Sequence, residues 1–77
     1  MKIEIHKRAE KFMERLPFDQ RSRLLKAVYK LPDGDVKPLK GNRSELRLRV
    51  GDWRVIFEYQ NNYIVVLEID NRGDIYK

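Results

Sequence analysis

The chain contains no cysteine. Disulfide staples and cysteine-based zinc sites are excluded, and nothing in it calls for an oxidising compartment. It contains one histidine, His6. A metal or catalytic constellation built on it would need His or Cys partners that the chain does not have. No apolar run approaches the ~20 residues of a membrane-spanning helix, and the N-terminus lacks the apolar stretch of a signal peptide. A cytoplasmic protein with no membrane partner is expected. Proline (three) and glycine (four) are sparse, so each one marks a boundary or turn.

What is present is charge. The 77 residues carry a net charge of +5, and a basic balance implies an anionic partner. The charge is uneven. Between positions 36 and 54, Lys37, Lys40, Arg43, Arg47, Arg49 and Arg54 stand against Glu45 and Asp52, a net +4. A chain this short is one domain, 1–77, and buries only about 60–65% of its unfolded surface.

The stretch from Glu45 to Tyr59 organises the rest. Two alternating runs flank Gly51-Asp52, the pattern of a hairpin with a two-residue turn. The turn sets Val50 opposite Trp53, Arg49 opposite Arg54, Leu48 opposite Val55, Arg47 opposite Ile56 and Leu46 opposite Phe57. Opposed residues share a face. Leu46, Leu48, Val50, Trp53, Val55, Phe57 and Tyr59 form a core face, and Arg47, Arg49 and Arg54 lie on the other. Directly opposed like charges destabilise a sheet. Arg49 opposite Arg54 therefore reads as an anion site, for which the planar guanidinium is suited.

In chain order, Met1–Ile5 alternates as a short strand, and Ala9, Phe12, Met13 and Leu16 recur at helical spacing. Pro17 breaks this helix. A second runs from about Asp19 to Leu31 with Leu24, Leu25, Val28 and Leu31 as its stripe. Pro32-Asp33-Gly34-Asp35 is a turn, and no periodicity follows until Ser44, so an irregular basic loop is expected there. Tyr63–Ile69 is nearly all apolar and reads as a central strand. A three-residue loop at Gln60-Asn61-Asn62 pairs Val55 with Leu67 and Arg54 with Glu68. A two-residue turn would instead set Glu68 opposite Val55. The expected fold is α+β in the order β-α-α-β-β-β, a small, mostly antiparallel sheet with a helical hairpin on one face and an open, basic opposite face.

Three pieces together resemble a known family: Leu39-Lys40-Gly41, Leu46–Glu58, and Asn71-Arg72-Gly73-Asp74-Ile75-Tyr76. They look like the RelE/ParE superfamily of toxins from type II toxin–antitoxin pairs. The resemblance implies this RelE-like fold and a metal-independent, cofactor-free endoribonuclease (mRNA interferase). Such enzymes cut mRNA in the ribosomal A site by attack of a ribose 2′-OH on the adjacent phosphate. It implies mRNA, the ribosome and a cognate antitoxin as partners. By position it assigns catalytic roles to Arg47, Arg54, Arg72 and Tyr76, and RNA binding to Lys37, Lys40, Arg43 and Arg49. Asn71 stands where many relatives have His, which leaves Tyr76, Glu45 and Glu68 as candidate general bases. A ParE-like inhibitor of DNA gyrase and a non-catalytic relative that binds RNA or antitoxin are the alternatives.

Overall fold

The computed structural model describes residues 2–39 and 44–71. The strand expected at the N-terminus is β1 (Lys2–Ile5), followed by α1 (Lys7–Glu14) and α2 (Phe18–Val28). The lone histidine starts α1. His6 is its N-cap, and its Nδ1 accepts a hydrogen bond from the Arg8 amide at 3.2 Å, satisfying one of the amides that a helix start leaves without a partner. Pro17 occupies the N-cap of α2, and Asp19 sits in the first turn where the helix dipole favours an acid. Ala9 and Met13 of α1, with Leu24 and Val28 of α2, are buried.

The loop expected to be irregular contains a strand, β2 (Asp35–Pro38). It pairs with β3 (Leu46–Val50), which pairs in turn with β4 (Trp53–Gln60), and β5 (Tyr63–Asn71) completes a sheet of order β1-β5-β4-β3-β2. All contacts between strands are antiparallel except β1 with β5. Four residues with a single half-buried side chain, Val36, carry too little alternation to announce a strand. Pro38 at its end is tolerated because β2 is an edge.

Gly34 fits β2 to the sheet. Its φ is +120°, and a Cβ there would lie 2.8 Å from Leu48 Cδ1. Glycine is required twice over at this position, by backbone conformation and by close approach.

The first hairpin has the expected register at all five pairs, from Leu46 with Phe57 to Val50 with Trp53. Gly51 at the first turn position has φ +59°, the preference of a type II′ turn. The second hairpin differs from expectation. Its turn is Asn61-Asn62, with Asn61 at φ +53°, and Gln60 pairs with Tyr63. The ladder runs regularly to Phe57 opposite Val66, then shifts so that Ile56 faces Glu68. Leu67 is the extra residue of a β-bulge on β5. The bulge reverses parity, so Ile69 rather than Leu67 faces Val55, and Asp70 rather than Glu68 faces Arg54. Both conditions that argued for a longer loop are met by a short turn plus a bulge.

The core lies between the helices and one face of the sheet. Leu24, Val28, Val55, Phe57, Ile64 and Val66 are its largest fully buried side chains. Phe12 closes one end by an edge-on contact with Trp53, ring centroids 5.6 Å apart.

Candidate functional site

Alternation along β3 and β4 sends every second side chain away from the helices. On that open face the register assembles two rows across the sheet. The first is Asp35, Arg49, Arg54, Asp70; the second is Lys37, Arg47, Ile56, Glu68. Directly opposed side chains lie roughly 5 Å apart at Cβ, and the two rows are about 6.8 Å apart along the strands. Lys37, Arg47, Arg49 and Arg54 therefore form one block of four cations on three adjacent strands.

The expected open, basic face also carries two aspartates that were not foreseen there. The like-charge pair Arg49/Arg54 is real, but an aspartate stands at each end of its row. Opposite charges across strands stabilise a sheet by about as much as like charges cost. The row runs acid, base, base, acid, so each arginine has an opposite charge on its other side to offset the repulsion.

Within the block the arginines differ. Arg49 is exposed and Arg47 half-buried. Arg54 is held: its Nε donates to Asp70 Oδ1 and its Nη2 to Asp70 Oδ2, both at 3.4 Å, with only 21% and 27% of the two side chains exposed. Ile56 and Val65 are buried without joining the helix-side core, so the cations stand around an apolar floor. Of the candidate bases, Glu68 lies in the second row and reaches Arg8 of α1 at 3.9 Å, while Glu45 is half-buried just before β3.

Two concavities flank the rows. One, of about 710 Å³, runs between α2 and the β2–β3 edge, lined by Phe18, Lys26, Ala27, Asp35, Leu48 and Arg49 among others. The other, of about 380 Å³, lies between α1 and β5 and includes Arg8, Lys11, Arg15, Glu68 and Asp70. Asp35 borders the first and Asp70 the second. Sequence reasoning missed both aspartates, because their place depends on β2 and on the bulge. It also passed over Arg8, Lys11 and Arg15, although their spacing along α1 puts them on one helical face.

Of the expected site residues, Lys37, Arg47, Arg49 and Arg54 come together. Lys40, Arg43, Arg72 and Tyr76 lie outside the described residues. Among the described residues no group of three or more His, Cys, Asp or Glu side chains could hold a metal ion, and no helix is long and apolar enough to cross a membrane.

A charged sheet face backed by a helical hairpin over a five-stranded sheet is the architecture of a small toxin class, and comparison with known proteins agrees. The family model for the ParE toxin of type II toxin–antitoxin systems matches residues 3–76. The chain belongs to that family, within the RelE/ParE superfamily, and is a toxin of a type II toxin–antitoxin system. Among solved structures it is similar to the toxin–antitoxin complexes RelB-RelE from Methanococcus jannaschii (22% identity, TM-score 0.77, 95% of this chain and 94% of that one) and RelE-RelB from Pyrococcus horikoshii (29%, 0.74, 94% of each). It is also similar to RelBE2 from Mycobacterium tuberculosis (18%, 0.79, 92% and 96%). A search among curated proteins found no match.

Proposed function

We propose that this toxin is an endoribonuclease that cleaves mRNA, in the ribosomal A site, on the open face of its sheet. The observation that carries the reading is the block of Lys37, Arg47, Arg49 and Arg54, with Arg54 anchored beside a like charge. In the proposed reaction a ribose 2′-OH attacks the adjacent phosphate and the 5′-oxygen leaves, giving a 2′,3′-cyclic phosphate and a 5′-OH. Negative charge accumulates on the phosphate oxygens, and fixed cations stabilise it most where it develops. Arg54 and Arg47 take that role. Lys37 and Arg49 hold flanking phosphates, joined by Lys40 and Arg43. Arg72 and Tyr76 complete the site, and Tyr76, Glu45 or Glu68 takes the 2′-OH proton. The reaction needs no metal or cofactor, and its setting is the cytoplasm.

The relatives solved with RelB support a cognate antitoxin as partner. Its acidic groups or its bulk are proposed to cover the arginine face, so purified complex should not cut RNA. The test of the reading is cleavage of ribosome-bound mRNA with mapping of the ends. Wild type should cut, leaving cyclic phosphate and 5′-OH ends, and Arg54→Ala should cut ~10²–10³-fold more slowly. The ParE description of the matching family favours one second reading, inhibition of DNA gyrase. Wild type that poisons gyrase and leaves mRNA intact would establish it.

A further inference from the structure

We propose that Asp70 is a positioning residue for Arg54, a proposal that rests on the cleavage reading for its role in rate but not for its geometry. A guanidinium offers two edges for bidentate binding, Nε/Nη2 and Nη1/Nη2. Asp70 takes the first edge with both carboxylate oxygens. The second edge is the one the proposed cleavage leaves to the scissile phosphate. An arginine that must give up rotamer freedom on meeting its ligand binds and stabilises less well than one already fixed. Arg54, four-fifths buried at its side chain, is fixed in advance. Arg49, directly across the strand and in the same row, is exposed.

The bulge delivers this partner. A regular ladder from the Asn61-Asn62 turn would set Ile69 opposite Arg54. The extra residue Leu67 replaces it with Asp70. Bulges serve to re-aim a side chain next to a site, and here the re-aimed side chain is the one that holds the arginine.

An acid so close to a phosphate site has two possible effects of opposite sign. As a competitor it would repel RNA, and its removal would speed cleavage. As a positioner it costs some affinity and gains rate, and its removal would lower kcat while KM stays or falls. The variants are Asp70→Ala, Asp70→Asn and, as a charge control, Asp35→Asn at the other end of the row. The expected result with ribosome-bound mRNA is a kcat loss of roughly 10–100-fold for Asp70→Ala, by the usual cost of a misplaced group, with no rise in KM. Asp70→Asn, which keeps one acceptor oxygen, falls between Ala and wild type. Asp35→Asn removes the same charge and keeps wild-type kcat. An equal loss in Asp35→Asn and Asp70→Asn, or a gain in kcat in Asp70→Ala, overturns the proposal.

One measurement stands apart from cleavage. Solvent exchange of the Arg54 Nε–H, followed by 15N–1H spectroscopy on the free protein, should accelerate on the order of tenfold in Asp70→Ala as the charge-assisted bond is lost. Unchanged exchange overturns the proposal whether or not RNA is cut. Wild type that cuts nothing yet shows the exchange difference removes the nuclease reading and leaves the Asp70–Arg54 contact established.

Discussion

The two faces of β4 are built from neighbouring residues and obey opposite rules. Val55 and Phe57 point toward the helices and are wholly excluded from water, whereas Arg54 between β3 and β5 points away into a row of four charges. The first face tolerates no polarity and the second concentrates it. Burying a large apolar side chain contributes about 1.5–3 kcal/mol, while a mismatched charge pair across strands costs under about 1 kcal/mol. A few core residues therefore carry the fold, and the open face is left to be shaped by chemistry. Damage to one face should appear in stability and damage to the other in rate.

The sharpest break of that division is Phe57→Ala. It opens a cavity at the centre of the core and should cost about 3–5 kcal/mol, enough to unfold much of a domain this small. Urea denaturation followed by circular dichroism checks it. Next comes Arg54→Ala, expected to raise the cleavage barrier by roughly 2–4 kcal/mol, or ~10²–10³ in rate. The Asp70 contact changes what to expect for folding. Relief of repulsion with Arg49 is offset by loss of the ion pair, so the denaturation midpoint should barely move. A large fall in stability would show that the open face also carries the fold. Arg54→Lys should recover only part of the rate, since an ammonium cannot serve two oxyanions with two edges.

Gly34→Ala tests the junction of the two faces. A methyl group there meets Leu48 at 2.8 Å on a backbone at φ +120°, and about 1–3 kcal/mol of destabilisation is expected from the same denaturation curves. The smallest effect belongs to Arg49→Ala. It is exposed, so stability should stay level. RNA affinity should lose one phosphate contact, flattening the slope of log K against log salt by about 0.7.

How much of this was legible in the chain follows from local regularity. The β3–β4 register reads correctly because strict alternation meets a Gly-Asp turn, and both point to one answer. The helical hairpin reads for the same reason, from apolar spacing interrupted at Pro17. The β4–β5 register does not, because parity arguments assume an unbroken ladder and Leu67 breaks it. Two sound demands, an apolar partner for Val55 and an acid for Arg54, led to a longer loop when a bulge satisfies both. β2 was hidden because an edge strand of four residues has only Val36 to bury. The cluster of Arg47, Arg49 and Arg54 could be seen within one hairpin, whereas Asp35 and Asp70 join it only through the two pairings that were not foreseen. The roles given to Lys40, Arg43, Arg72 and Tyr76 fall outside the described residues.

The order of strands has a consequence for the birth of the molecule. β5, residues 63–71, lies between β1 and β4 and supplies Ile64, Val66 and Ile69 to the interior. Among the described strands β1 pairs with β5, and the His6 amide reaches across to the Val66 carbonyl at 2.8 Å. Among the described strands, the one synthesised last is thus an interior strand of the sheet, between β1 and β4. Until it emerges, β1 lacks this partner, the helices have half a floor to rest on, and Arg54 lacks the aspartate that holds it. Such long-range pairing is slow to form. The cations of β2, β3 and β4 can meet before β5 emerges, but the aspartate that holds Arg54 arrives only with that strand.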